Sequence, residues 1–96
     1  LFRSGSHAIY TDVWTSMGFE QEESSREDAF KGYQLNKKLH ALAEKDALVM
    51  HCLPMVKGKE ITEEMAEHKR SVIFQQSENR LHAQKALLFR MLGGKL

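Results

Sequence analysis

The only cysteine of the chain, Cys52, occupies a position suited to chemistry. It follows the most apolar run of the sequence, residues 47–50, and is soon followed by the only proline, Pro54. If that run is a strand, its carboxyl end presents a thiol where ligands bind in open α/β sheets. The alternative is that Cys52 is a small buried hydrophobic residue. His51 precedes it in the same strand, so the two side chains point to opposite faces and cannot form a nucleophile–base pair.

A second group of polar residues follows the first apolar run. Asp12 offers a carboxylate for a cationic amine, and the turn at Ser16, Met17 and Gly18 offers a hydroxyl and backbone N–H groups that suit a carboxylate. Together they suit an amino acid. The alternative is a structural turn in which Asp12 bonds only to nearby backbone.

A third candidate is Arg80, near the start of a helix predicted at residues 78–92. In the first turn of a helix, the helix dipole adds to the charge of the guanidinium and favours an oxyanion or a polarised carbonyl. The alternative is a surface ion pair. One cysteine and five dispersed histidines lack the spacing of a metal-ligand set, so no metal site is predicted.

Three compact apolar runs predict the strands that would position these groups, at residues 8–14, 47–53 and 71–74. Helix-capping residues stand between and after the runs, and these are Ser24, Asn36, Thr62 and Ser77. Strands separated by helices indicate crossover connections. We therefore expect an α/β fold with a small parallel three-stranded sheet and flanking helices, as part of a Rossmann-like three-layer domain.

The predicted sheet brings the candidate groups together. In a parallel sheet the carboxyl ends of all strands lie at one edge, which would gather Asp12, Cys52 and Arg80 into one site. The 96 residues, 42% hydrophobic and 28% charged, are expected to form a single unit.

Composition also excludes several classes of protein. The net charge is +1 and the basic residues are interspersed with acids, so no nucleic-acid or anionic-lipid surface is predicted. No apolar run approaches the roughly 20 residues of a membrane span. A single cysteine fits a reducing compartment, and a cytoplasmic location is expected.

Three stretches resemble the successive signatures of the ornithine carbamoyltransferases, in the family's order and approximate spacing. They are residues 12–18 (DVWTSMG), 51–54 (HCLP) and 78–84 (ENRLHAQ). The resemblance extends over residues 8–92. Related aspartate carbamoyltransferases typically carry proline at the position of Cys52, so this cysteine and the Ser-Met-Gly turn favour the ornithine branch.

The resemblance implies a reaction and a set of substrates. The family transfers the carbamoyl group of carbamoyl phosphate to the side-chain amine of L-ornithine, giving citrulline and phosphate, without metal or organic cofactor. By position, Asp12, Ser16 and Met17 would bind the α-amino and α-carboxylate groups of ornithine.

The same resemblance implies roles at the carbamoyl group. Cys52 would lie beside the attacking amine and assist its deprotonation or orientation, without a covalent intermediate. Cys52, Leu53 and Arg80 would contact the carbamoyl moiety. The peptide bond between Leu53 and Pro54 is expected to be cis.

Two family motifs do not occur in these residues, the phosphate-gripping Ser-x-Arg-Thr loop and the His-Pro-x-Gln motif. The chain thus resembles only the C-terminal part of the ornithine-binding domain plus the terminal helix, residues 78–92. We expect the parent to be a homotrimer with an N-terminal carbamoyl-phosphate domain, and the isolated 96 residues to be inactive. The alternatives are an autonomous non-catalytic folding or assembly module derived from this family, and a carbamoyltransferase for a related amine such as putrescine or acylated ornithine.

Overall fold

The computed structural model describes residues 5–15, 18, 21 and 23–95. Two helices follow each strand, and the predicted caps Ser24 and Ser77 are wrong because they lie inside their helices. In order, the strands and helices are β1 (Ala8–Thr11), α1 (Glu23–Phe30), α2 (Lys37–His40), β2 (Leu48–His51), α3 (Glu63–Ala66) and α4 (Ile73–Met91).

The sheet consists of β1 and β2, which pair in parallel from Ala8 opposite Leu48 to Thr11 opposite His51. The connection through α1 and α2 is a crossover of the kind that parallel strands require. Both strands therefore end at the same edge of the sheet, as predicted. The residues that follow them, Asp12 and Cys52, become neighbours although 40 positions separate them.

The third strand predicted at residues 71–74 is wrong, and the described residues form two paired strands rather than three. Ser71 makes only an isolated bridge to Val49: the Val49 N–H donates to the Arg70 carbonyl and the Val72 N–H donates to the Val49 carbonyl, each at 3.0 Å. The chain then turns into α4 at Ile73. A four-residue apolar run fits a short strand and the buried start of a helix equally well, so periodicity could not separate them.

One apolar cluster forms the core, and its buried members are Ile9, Leu35, Val49, Ile61, Met65, Ala66 and Ile73. The segment after Pro54 is tied to this core by backbone bonds on both sides of Ile61. The Leu35 N–H donates to the Glu60 carbonyl at 2.8 Å, and the Thr62 N–H donates to the Leu35 carbonyl at 3.0 Å. The predicted caps Asn36 and Thr62 are confirmed, because each side chain accepts a first-turn N–H of its helix.

Helix α4 is tied to the core at one end only. It begins at Ile73 rather than near residue 78, and Ile73 is its only buried residue. Its large apolar side chains are mostly exposed, and these are Phe74, Leu81, Leu87, Leu88, Phe89 and Met91. Across the part of the chain that the structure describes, no helix combines the length and apolarity needed to cross a membrane.

Candidate functional site

A hydrogen bond joins the two residues that follow the strands. The Cys52 Sγ donates to Asp12 Oδ1 at 2.9 Å, and the same oxygen accepts the Val13 N–H at 2.7 Å. The local bond to Val13 is the contact that the structural-turn interpretation of Asp12 predicted. The bond to Cys52 adds a long-range contact, so Asp12 both shapes its turn and faces the thiol.

The thiol of Cys52 is held in its neutral form. Partial burial raises the pKa of Cys52 above its usual value, and the hydrogen bond to the Asp12 carboxylate raises it further, against a smaller opposing effect of Tyr10. A thiol with a raised pKa carries little thiolate at neutral pH and is a weak nucleophile. Cys52 is therefore better suited to donating a hydrogen bond, or to relaying a proton to Asp12, than to covalent catalysis.

Tyr10 belongs to the same cluster, although its sequence context predicts only a strand residue. Burial and interaction with Cys52 raise the pKa of its hydroxyl, while an interaction with Gln76 opposes the shift. Side chains alternate along a strand, so Tyr10 lies on the same side of the chain as Asp12. That period of two is the signal that could have identified it.

A cavity of about 440 Å³ brings Arg80 to this strand edge. Its walls include Tyr10 and Cys52 from the sheet, and Gln76, Asn79 and Arg80 from α4. Arg80 thus lies close to the strand ends as predicted, although the third strand does not form.

The predicted place of Arg80 within its helix is wrong. Because α4 begins at Ile73, Arg80 lies about two turns into the helix, beyond the first turn in which the helix dipole acts. The helix dipole therefore does not add to the charge of its guanidinium. Among residues 5–15 and 24–95 no carboxylate pairs with Arg80, so this part of the structure holds no surface ion pair of the kind considered as the alternative.

On the opposite face of the strand end, His51 is fully buried together with the carboxylate of Glu60, which no pattern in the sequence singles out. The His51 Nε2 lies 3.1 Å from Glu60 Oε1, and both residues are 0% exposed. His51 Nδ1 accepts the Leu53 N–H at 2.9 Å, which assigns the ring proton to Nε2. His51 and Cys52 thus point to opposite faces as predicted.

Leu53 has the most unusual backbone of the site. Its peptide bond to Pro54 is cis, as the resemblance implied, and its φ is 57°. A left-handed φ costs a residue with a side chain on the order of 1–2 kcal/mol. Neighbouring contacts must therefore hold Leu53 in place.

Two predicted site residues, Ser16 and Met17, lie outside the described residues. Among the residues that are described, no group of three or more histidine, cysteine, aspartate or glutamate side chains is placed to hold a metal ion.

Comparison with known proteins adds an independent observation. Residues 3–91 match the family model described as aspartate/ornithine carbamoyltransferase, Asp/Orn binding domain. The ornithine carbamoyltransferase of Prochlorococcus marinus is 54% identical over 91 residues, which make up 95% of this chain and 29% of that protein.

Solved structures of carbamoyltransferases are also similar to this chain. The ornithine carbamoyltransferase from Pyrococcus furiosus superposes with a TM-score of 0.86 at 45% identity, over 98% of this chain and 30% of its own. An acetylornithine transcarbamylase complexed with acetylcitrulline gives a TM-score of 0.72 at 26% identity, over 90% of this chain and 26% of its own. The chain spans 26–30% of the length of these relatives.

Proposed function

The chain belongs to the aspartate/ornithine carbamoyltransferase family, and we propose that within a longer enzyme it binds L-ornithine and helps to carbamoylate it. The carbamoyl group would pass from carbamoyl phosphate to the side-chain amine, giving citrulline and phosphate. The observation that carries this proposal is the Cys52–Asp12 hydrogen bond at the ends of two adjacent parallel strands. Cys52 also lines a cavity whose wall includes Arg80.

The chemistry requires an amine that has lost its proton. An alkyl ammonium group has a pKa near 10, as in lysine, so a group beside it must accept or relay the proton before the nitrogen can attack. The neutral Cys52 thiol, bonded to the Asp12 carboxylate, supplies such a relay. The nitrogen then attacks the carbamoyl carbon, and the bond from that carbon to the phosphate oxygen breaks. No acyl-cysteine intermediate is needed.

Charge then develops on the carbamoyl oxygen. The Arg80 guanidinium, at the wall of the same cavity, is a donor for that oxygen. Cys52 and Leu53 complete the contacts to the carbamoyl group. Asp12, Ser16 and Met17 would hold the α-amino and α-carboxylate groups of ornithine, which would leave the side-chain amine directed toward Cys52.

The rest of the enzyme would come from outside this chain. We place the chain in the C-terminal part of a Rossmann-like three-layer domain, joined to an N-terminal carbamoyl-phosphate domain and assembled as a homotrimer. The exposed apolar side chains of α4 support a contact between this helix and another part of the protein. The cytoplasmic location expected from the sequence stays a prediction.

A hybrid enzyme tests the proposal directly. In it, this chain replaces the matching segment of the Prochlorococcus marinus ornithine carbamoyltransferase, which is 54% identical. We expect the hybrid to form citrulline from carbamoyl phosphate and ornithine, and the isolated 96 residues to form none above background. A hybrid that folds and unfolds cooperatively but forms no citrulline would contradict the proposed function.

A related amine is the second candidate substrate, and the similarity to an acetylornithine transcarbamylase favours considering it. Offering ornithine, acetylornithine and putrescine to the hybrid at equal concentrations separates the candidates by kcat/KM. A preference for free ornithine is expected, because Asp12 suits a cationic α-amino group. A preference for acetylornithine would assign Asp12 another role.

A non-catalytic module is the remaining alternative. It predicts that the isolated chain unfolds cooperatively and is unaffected by ornithine, and that the hybrid is inactive.

A further inference from the structure

We propose that Glu60 and His51 are positioning residues for carbamoyl transfer, because their buried hydrogen-bond network fixes the backbone that carries Cys52 and Leu53. This inference rests on the proposed function. Neither side chain lines the cavity that holds Cys52 and Arg80, so both would act through the segment that runs from His51 to Val56.

Glu60 connects two points of the chain through one oxygen atom. Its Oε1 accepts both the Val56 N–H and the proton on His51 Nε2. The Glu60 main chain is itself anchored, since its carbonyl accepts the Leu35 N–H at 2.8 Å. The carboxylate therefore holds His51, at the start of the segment, and Val56, at its end, in one fixed arrangement.

His51 connects Glu60 to the backbone of Leu53, next to Cys52. Its Nδ1 accepts the Leu53 N–H at 2.9 Å. Among the residues that the structure describes, Leu53 is the one residue other than glycine with a positive φ. The bond holds a backbone conformation that a leucine does not adopt unaided. Cys52 lies between the two bonded residues, and its thiol meets Asp12 on the other face.

Burial makes this network rigid. His51 and Glu60 are both 0% exposed, so water cannot replace a lost bond at little cost. The hydrogen bonds of His51 and Glu60 should therefore persist and hold the backbone at Leu53 and Val56 in one conformation.

The test uses the hybrid enzyme and the substitution Glu60→Leu, which keeps the volume and removes the acceptor. We expect kcat to fall about 10- to 100-fold through misplacement of Cys52 and Leu53. The KM for ornithine should change less than about threefold, because the residues proposed to hold its α-groups belong to another part of the sequence, residues 12–17. Glu60→Gln keeps an acceptor oxygen and should retain kcat within about threefold. Glu67→Leu, the same change at an exposed carboxylate, is the matched control.

Two substitutions of His51 keep the inference testable if Glu60→Leu does not fold. In His51→Asn the side-chain oxygen replaces Nδ1 and retains the bond to Leu53, whereas in His51→Gln the amide replaces Nε2 and retains only the contact with Glu60. Both remove the ring, so their thermal unfolding midpoints should be similar. The Asn variant should nevertheless keep the higher kcat.

The outcomes separate this inference from the proposed function. If the unchanged hybrid forms no citrulline, the proposed function fails first. If the unchanged hybrid is active and the folded Glu60→Leu or His51→Gln variant matches its kcat, this inference fails alone. It also fails if ornithine KM rises while kcat stays constant, or if Glu60→Gln loses as much kcat as Glu60→Leu.

Discussion

The part of the chain before residue 73, here called the sheet body, and helix α4 both contribute to the same cavity. They are stabilised very differently. Asp12 and Cys52 directly follow paired strands whose core residues Ile9 and Val49 are buried. Arg80 stands on a helix with a single buried side chain, Ile73. The wall formed by the strand ends is thus fixed by buried core residues, whereas the wall formed by α4 is fixed to the core only at Ile73.

The largest expected effect tests that difference within one helix. Replacing the fully buried Ile73 by alanine should destabilise the chain by about 2–5 kcal/mol through lost burial and a residual cavity. The same deletion at exposed Leu88 should change the free energy of unfolding by less than about 0.5 kcal/mol. Urea unfolding of the isolated chain, followed by circular dichroism, measures both. Equal losses would show that α4 is packed along its length.

The second effect concerns the α4 wall of the cavity. In the hybrid enzyme, Arg80→Ala should lower kcat about 10²- to 10³-fold, because a donor to the developing oxyanion is removed. Arg90→Ala, in the last turn of the same helix, should leave kcat unchanged. Steady-state kinetics with both substrates varied makes the comparison. A kcat unaffected by loss of Arg80 would remove α4 from the catalytic machinery.

The third effect concerns the sheet wall. The Asp12 carboxylate helps to raise the pKa of the Cys52 thiol, so Asp12→Asn should lower that pKa and speed alkylation at pH 8 several-fold. Cys52 is the only cysteine of the chain, and the iodoacetamide reaction rate as a function of pH reports it alone. Asp28→Asn, on α1, is the control and should leave the profile unchanged.

The smallest effect is a pH dependence of the sheet body. Burial lowers the pKa of His68 from its usual 6.5, and the neighbouring His40 lowers it further. The centroids of the two rings lie 4.8 Å apart. The unfolded chain then binds a proton at higher pH than the folded chain does. Stability should therefore be constant above about pH 6.5 and decline as the pH falls from 6.5 toward the lowered value. His68→Gln should flatten that decline in urea titrations, and a slope unchanged by the substitution would assign it to another group.

Sequence patterns predicted the sheet body far better than α4. The adjacency of Asp12 and Cys52 follows from two apolar runs and a crossover, because parallel strands end at one edge. The strand predicted at residues 71–74 is wrong because a short apolar run fits a strand and a helix equally well. That error moved the predicted start of the helix and placed Arg80 in its first turn.

Glu60 marks the limit of sequence reasoning at this site. Its partners His51 and Leu35 lie on other segments, and only tertiary packing buries it. No periodicity distinguishes it from the exposed acids nearby, such as Glu63. Tyr10 differs in this respect, because strand alternation would have placed it beside Asp12.

The single anchor of α4 has a mechanical consequence. Arg80 follows Ile73 by seven positions, which is about 10 Å along the helix axis at 1.5 Å per residue. A swing of about 10° about the anchor would then move the backbone of Arg80 by roughly 2 Å, enough to make or break a hydrogen bond. Any displacement of α4 would therefore change how far the Arg80 guanidinium reaches into the cavity that it shares with Cys52.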